Sequence, residues 1–349
     1  MNEKSQRTFN WQSSPYLLVY TMTAGLGDYF VVGDLTRKAR EIVPGATCVV
    51  IHRGNPHVKL WPTCDAGTLF FDLYHPLELF SFIHLLRMAR NSGAKVFGFQ
   101  MAPGSLQGYL FYSLIKRIKA LDFIVDFNLI NADIITPPKG DYILDLHLNQ
   151  LATIFRKPPH PNPRLKLPIA TKCAPLQINS SFVGIHPWTR RNNDRLTWSY
   201  DKWLEVVAYL LEHRYRPVLF GRDSQFPVFR EKLRREFGDN KIIFRPSGSV
   251  KELVETVSEL SLLISLNTST IHASYALQVK TVVLSGPHLD LWTPKNELFR
   301  EVRDPIAIYP PSDESKTDPG MPMVSRIPTS TVISAIDELL NEGGSCEGS

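Results

Sequence analysis

Three groups of residues in this 349-residue chain have the types and spacing to handle a phosphorylated ligand. The first is Thr23-Ala24-Gly25-Leu26-Gly27-Asp28, which follows the apolar run Tyr16–Tyr20 and precedes a helical pattern. Gly25 and Gly27 permit a tight turn and close backbone approach, and the helix start exposes unpaired amides. Asp28 puts a carboxylate at the mouth of that helix, either as a proton acceptor or as an N-terminal cap. The motif is not a dinucleotide fingerprint, because the next glycine, Gly33, comes too late.

The second group is Asn267-Thr268-Ser269-Thr270-Ile271-His272, directly after the apolar run Leu262–Leu266. Hydroxyls and free amides at a helix start suit the oxygens of a diphosphate. Plain capping accounts for Asn267 to Ser269 equally well, and His272 suits a half-buried helix position. The third group lies on loops that end strands. Arg190 and Arg191 follow Gly184-Ile185-His186-Pro187, Arg195 precedes Trp198, Gly221 leads to Asp223, and Gly286 is joined to Pro287. Arginines on such a rim can pair with phosphate through the guanidinium fork, or form a solvated charged loop. Several polar loops converging on one sheet edge weigh more than any one of them.

These loops need strands and helices in alternation to carry them. Strand patterns fall at Tyr16–Tyr20, Cys48–His52, Leu69–Leu73 and Lys95–Phe99. Helical patterns fall between them, from about Tyr29 to Ile42, over Pro76–Asn91 and over Leu106–Lys119, with a further helix within Asp141–Phe155. The alternation predicts an α/β, doubly wound unit over residues 1–157. The prolines of 158–175 exclude a central strand or helix and mark a linker. Over 176–349 the alternation resumes, with strands at Phe182–His186, Pro217–Phe220, Lys241–Phe244, Leu262–Leu266 and Thr281–Leu284. A sixth strand is expected at Ile306–Tyr309. A terminal helix is expected at 329–340, as a candidate to pack back toward the N-terminal domain.

The net charge of +5 is a modest surplus that fits an anionic ligand and does not call for nucleic acid. Cys48, Cys64, Cys173 and Cys346 lack CxxC pairing and read as reduced thiols of a cytoplasmic protein. Met1–Pro15 has no apolar core of the secretory kind, and no stretch reaches the roughly 18 apolar residues of a membrane span. The expectation is a cytoplasmic protein, peripheral at most at the inner face of the membrane, with no metal site and no cofactor.

Three stretches together resemble a known family, the bacterial heptosyltransferase-like glycosyltransferases of lipopolysaccharide core synthesis, which have the GT-B fold. LLVYTMTAGLGDYFVVGDLTRKAREIVPGATCVVI resembles the family's opening strand, glycine-aspartate loop, helix and second strand. GIHPWTRRNNDRLTWSYDKWLEVVAYLLEHRYRPVLFGRDSQ is similar to its second-domain opening, and ELVETVSELSLLISLNTSTIHASYALQVKTVVLSGP to its donor-loop region. The resemblance implies two Rossmann-like domains facing a central cleft, the first for the acceptor and the second for the donor nucleotide.

It also implies roles for particular residues. Asp28 matches the loop aspartate proposed as general base, with Gly25 and Gly27 on the acceptor-side loop. Arg195 falls near the basic residue before the tryptophan. Ser269, Thr270 and His272 lie on the loop that holds the donor diphosphate, and Gly221 and Gly286-Pro287 belong to the nucleotide pocket. The family's loop aspartate is Thr268 here and its glycine is Thr270, so a bulkier, less acidic loop is expected. Where the family has a sugar-contacting glutamate, the candidates here are Asp223 and Gln225. The implied reaction is inverting, metal-independent transfer of a sugar, with a heptose from ADP-heptose as the first choice. The acceptor is a hydroxyl of a glycan, protein or small molecule. Two other readings stay open: a non-catalytic nucleotide or sugar-phosphate binding protein, and a nucleotide-sugar epimerase or related sugar-modifying enzyme.

Overall fold

The computed structural model describes residues 15–21, 25–52, 54, 68–100, 106–126, 132–136, 142–161, 165–167, 181–189, 196–222, 224–286, 292–306 and 323–341. The chain divides into two compact units, Met1–Pro163 and Arg164–Ser349. The division falls inside the proline-rich stretch.

The first unit runs β1 (Tyr16–Thr21), α1 (Leu26–Ile42), β2 (Thr47–His52), β3 (Thr68–Asp72), α2 (Pro76–Asn91), β4 (Lys95–Gln100), α3 (Leu106–Arg117), β5 (Phe123–Asp126), β6 (Ile134–Ile135) and α4 (Ile143–Ile154). Its parallel sheet has the order β3-β2-β1-β4-β5-β6. Strand β1 is apolar throughout because both faces are covered. Leu17 and Val19 pack with Phe82, Leu86, Tyr112 and Ile115 beneath α2 and α3, while Leu18 and Tyr20 are buried on the alternate face. The Tyr112 hydroxyl is shared between the carbonyls of Phe99 (2.8 Å) and Val19 (3.1 Å), which pins α3 to the sheet. Helix α1 packs against α4 and is buried on most of its surface. It carries an ion pair out of solvent, Lys38 Nζ to Asp34 Oδ2 at 2.7 Å, with Arg37 on the other oxygen of the same carboxylate at 2.7 Å.

The second unit runs β7 (Phe182–His186), α5 (Tyr200–Glu212), β8 (Arg216–Gly221), α6 (Phe226–Phe237), β9 (Ile243–Pro246), α7 (Val250–Ser258), β10 (Leu262–Leu266), α8 (Ser269–Leu277), β11 (Lys280–Ser285), β12 (Phe299–Arg303) and α9 (Thr329–Asn341). Its sheet, also parallel, has the order β12-β11-β10-β7-β8-β9. Counted from β7 this is the same 3-2-1-4-5-6 winding as the first sheet. In each, strand order reverses beside the first strand: between β1 and β4, and between β7 and β10. Ligands of open parallel sheets bind outside the carboxyl ends of the strands at that reversal.

The strands depart from the sequence expectation in places: β5 and β6 of the first sheet have no counterpart among the expected strands. The sixth strand of the second sheet is Phe299–Arg303, not Ile306–Tyr309; Ile306 lies in a turn and 307–309 fall outside the described residues. Helix α9 packs on α5, β11 and β12, and its apolar stripe Val332, Ala335, Ile336 and Leu339 is buried in the core of the second unit. That stripe is therefore used within its own domain. Among the cysteines, Cys48 is a buried thiol 3.5 Å from the Thr36 carbonyl, and the other three lie outside the described residues.

Candidate active site

The loop from β10 into α8 stands at the strand-order reversal of the second sheet. The capping of its helix is unlike that of two neighbours. Ser199 caps α5 by accepting from the Lys202 amide, and Ser249 and Glu252 form a reciprocal capping box on α7. At α8 the N-cap is Thr268, whose side chain makes no capping bond. Its hydroxyl turns instead to Thr270 Oγ1 at 3.0 Å, and Thr270 Oγ1 meets Ser265 Oγ at 2.7 Å. The first amides of α8 thus receive no side-chain cap, as an anion site at a helix start requires.

Asn267 is held from the side. Its Nδ2 donates to Thr293 Oγ1 at 2.9 Å, and Thr293 donates in turn to Glu301 on β12 at 3.0 Å. The Glu301 carboxylate also pairs with Arg303 at 2.7 Å. Ser269 is half-buried at the first helical position, whereas Thr270 and His272 are buried. Burial pushes the His272 imidazole down to about 4, so it is neutral at pH 7. It lies edge-on to Trp292, with ring centres 6.2 Å apart.

Asn267, Gly286 and Leu284 frame a shallow recess with Thr189, Leu196 and Val324. Val324 belongs to a 3-10 turn, Val324–Arg326, that is tied down on several sides. Trp198 Nε1 donates to the Ile327 carbonyl at 2.9 Å, Lys202 Nζ donates to Ser325 and Ile327 at 2.8 Å each, and Arg326 donates to the buried Asp304 at 2.6 Å. Sequence reading missed Val324 and Thr293, since only the fold brings them to the loop.

At the end of β8, Gly221 has φ +128° and lies against the side chain of Trp188. A Cβ there would stand 2.4 Å from Trp188 Cδ1, so both conformation and space require glycine. Trp188 is locked in place by donating Nε1 to the Phe220 carbonyl at 3.0 Å and by packing on Phe226 and Phe229. His186 is buried beside Phe220, and burial pushes its imidazole down to about 4. The Gln225 carbonyl oxygen accepts from the Tyr200 hydroxyl at 3.0 Å. Arg190, Arg191, Arg195, Asp223 and Pro287 lie outside the described residues.

In the first unit, α1 begins at Leu26, with Gly25 as its extended N-cap. Gly27 and Asp28 therefore occupy the first turn, and Asp28 is an acidic residue of that turn rather than the cap itself. Its carboxylate is half-buried at the C-terminal edge of the sheet, beyond the end of β1.

Residues 156–317 match the family model of glycosyltransferase family 9 (heptosyltransferase). The match covers a little under half of the chain and spans the arginine loop, Gly221, the β10–α8 loop and Gly286, and the fold is of the GT-B type. Solved structures share its fold over nearly the whole chain. The glycosyltransferase family 9 protein of Veillonella parvula is 15% identical with a TM-score of 0.66, covering 94% of this chain and 98% of that one. Heptosyltransferase WaaC of E. coli, solved with ADP, is 14% identical with a TM-score of 0.62, covering 93% and 99%. The ADP-heptose lipopolysaccharide heptosyltransferase II of E. coli is 16% identical with a TM-score of 0.60, covering 95% and 100%. No curated protein matches the chain in sequence.

Among the described residues, no helix is long and apolar enough to cross a membrane.

Proposed function

We propose that the transferase moves a heptose from ADP-heptose to an acceptor hydroxyl by direct, inverting displacement without a metal. The observation that carries this reading is the α8 start, which has no side-chain cap and stands at the strand-order reversal inside the matched family 9 segment. The acceptor oxygen attacks C1 of the sugar as the bond from C1 to the phosphate oxygen breaks. Asp28 takes the acceptor proton, and the departing diphosphate keeps the bonding electrons. Its charge is met by the α8 amides, the Ser269 hydroxyl and the Arg190, Arg191 and Arg195 group. Thr268, Thr270 and Asn267 shape that loop, Gly221 and Gly286-Pro287 border the nucleotide, and Asp223 is the candidate for the sugar. Gln225, engaged by Tyr200, is the weaker sugar contact. The reaction requires Asp28 of the first unit and Ser269 of the second to address one sugar. The choice of ADP-heptose rests on the donors named for the solved structures of like fold. The protein would work in the cytoplasm, peripheral at the inner membrane face.

Asp28→Asn separates a base from a residue that only stabilises the helix start. A general base is worth roughly 10²–10⁴ in rate, whereas an acidic residue in a first turn is worth about 0.3–1 kcal/mol of stability. ADP release from ADP-heptose, measured with a panel of hydroxyl acceptors at saturation, should slow at least about 100-fold in the variant. Its melting temperature and ADP affinity should stay close to the parent's. Near-parental turnover would remove Asp28 from the chemistry. ADP binding with no donor consumed by the parent, whatever the acceptor, would favour the non-catalytic reading instead.

A further inference from the structure

The first unit exposes an apolar helix face that its own core does not use. Helices α2 and α3 are neighbours on one side of the sheet: Phe82 stacks on Phe111 with ring centres 6.3 Å apart, and Arg90 donates to the Lys119 carbonyl. Their inner sides supply Phe82, Leu85, Leu86, Tyr112 and Ile115 to the core. Their outer sides are apolar as well. Tyr74, Leu77 and Phe80 are each at least 70% exposed, Leu110 and Leu114 are 58% and 59% exposed, and Met88 follows two turns after Phe80. Most of the exposed large hydrophobic residues among those described come from this one pair of helices and the turn before it. A helix that is apolar on both sides has a second apolar partner.

The charge on the same helices says which kind. Toward their C-terminal ends they present Arg87, Arg117 and Lys119, all exposed, with His84 between the apolar positions. The acidic groups nearby are occupied: Asp122 pairs with Arg90 at 2.9 Å, Asp133 pairs with Lys116, and Glu78 accepts from the Asp72 amide at 2.8 Å. An apolar stripe bordered by uncompensated cations is the pattern of an interfacial surface that meets anionic lipid. A second copy of this chain would instead set these cations against themselves. We propose that the outer face of α2 and α3, led by Tyr74, Leu77 and Phe80, docks on an anionic bilayer surface. Tyr74 and Leu77 follow the C-terminal end of β3, on the same sheet edge as Asp28, so docking would bring the acceptor-side edge to the lipid. The inference rests on the peripheral placement proposed above, for which it names the surface, and does not depend on which sugar is transferred.

The test is flotation of the full chain with vesicles of pure phosphatidylcholine and vesicles containing one third phosphatidylglycerol. The parent should float with the anionic vesicles, and 0.5 M salt should reduce binding. Leu77→Glu with Phe80→Glu should lower partitioning at least about tenfold. Arg87→Glu with Arg117→Glu should remove the preference for anionic lipid. Both variants should melt like the parent and keep its ADP affinity, which shows that they fold and leaves the donor reading untouched. Parental flotation of the Leu77/Phe80 variant would overturn the proposal, as would absence of flotation in the parent. A parental dimer that becomes monomeric in that variant would assign the face to a second copy and overturn it too.

Discussion

The donor reading makes stability and affinity move in opposite directions at one position. Ser269 is the first helical residue of α8, half-buried, behind an N-cap that makes no side-chain bond. An aspartate there would meet the positive end of the helix dipole and should stabilise the ligand-free protein by about 0.3–1 kcal/mol. A bound diphosphate would meet that carboxylate as a like charge at contact distance. Two unit charges about 4 Å apart repel by about 1 kcal/mol in bulk water and by about 4 kcal/mol near a protein surface. Even the lower value is about fivefold in affinity, and the diphosphate carries more than one charge. Ser269→Asp should therefore bind ADP at least about fivefold more weakly by calorimetry, while binding adenosine as the parent does and melting no lower. Ser269→Asn controls for size without charge and should keep ADP affinity within about threefold. Equal losses for ADP and adenosine would show that the loop holds the base or the fold rather than the diphosphate. Undiminished ADP binding in Ser269→Asp would refute the anion site at α8 altogether.

Two further outcomes follow from burial. Gly221→Ala combines backbone strain at φ +128° with a Cβ forced against the indole of Trp188. The two effects together should cost about 2–5 kcal/mol and lower the melting temperature by roughly 5–15 °C; an unchanged melting temperature would mean the indole yields freely. The second concerns His186 and His272, which burial pushes down from 6.5 to about 4. Below pH 6.5 the unfolded chain takes up protons that the folded chain does not. Their contribution is therefore whole above pH 6.5, is lost as pH falls toward about 4, and is worth about 3 kcal/mol for each ring. Melting temperature measured from pH 7.5 to 4.5 should fall less steeply for His272→Gln than for the parent, and parallel curves would refute the assignment.

What could be read from the sequence followed how each signal is encoded. Strands such as Leu262–Leu266 and Phe182–His186 are buried on both faces and announce themselves as short apolar runs. Strand β12 has the sequence FREVR at a sheet edge, with Phe299 and Val302 buried and the charged residues half-buried, and it gives no such run. The expectation shifted instead to the more apolar Ile306–Tyr309. Helix α1 begins three residues before its apolar pattern, because Leu26-Gly27-Asp28 lacks the apolar period and glycine is a poor helix former. That shift matters for function, since it moves Asp28 from the cap into the first turn. The strand-end polar loops were legible because a strand, small polar residues and a helix start occur in sequence order. Thr293, Glu301 and Val324, which hold or line the same region, are far from Asn267 in the chain. Nothing local marks them.

As the proposed donor site, the β10–α8 loop would have to tolerate residues that look obstructive on paper. Threonine where the resembled family has glycine would crowd a ligand if its side chain faced outward. Here Thr270 is buried, and its hydroxyl is satisfied by Ser265 at 2.7 Å and Thr268 at 3.0 Å. The added atoms are thus drawn inward, beneath the helix start rather than over it. Thr268, whose hydroxyl is taken up by this chain of contacts, makes no side-chain bond to the first amides of α8. An aspartate at 268 would be a strong N-cap and would compete with any anion for those amides. The two departures therefore act together: Thr270 engages the hydroxyl of Thr268, and Thr268 leaves the helix start open to a charged ligand. The loss of an acidic residue from this loop is accordingly compatible with diphosphate binding and favours it electrostatically.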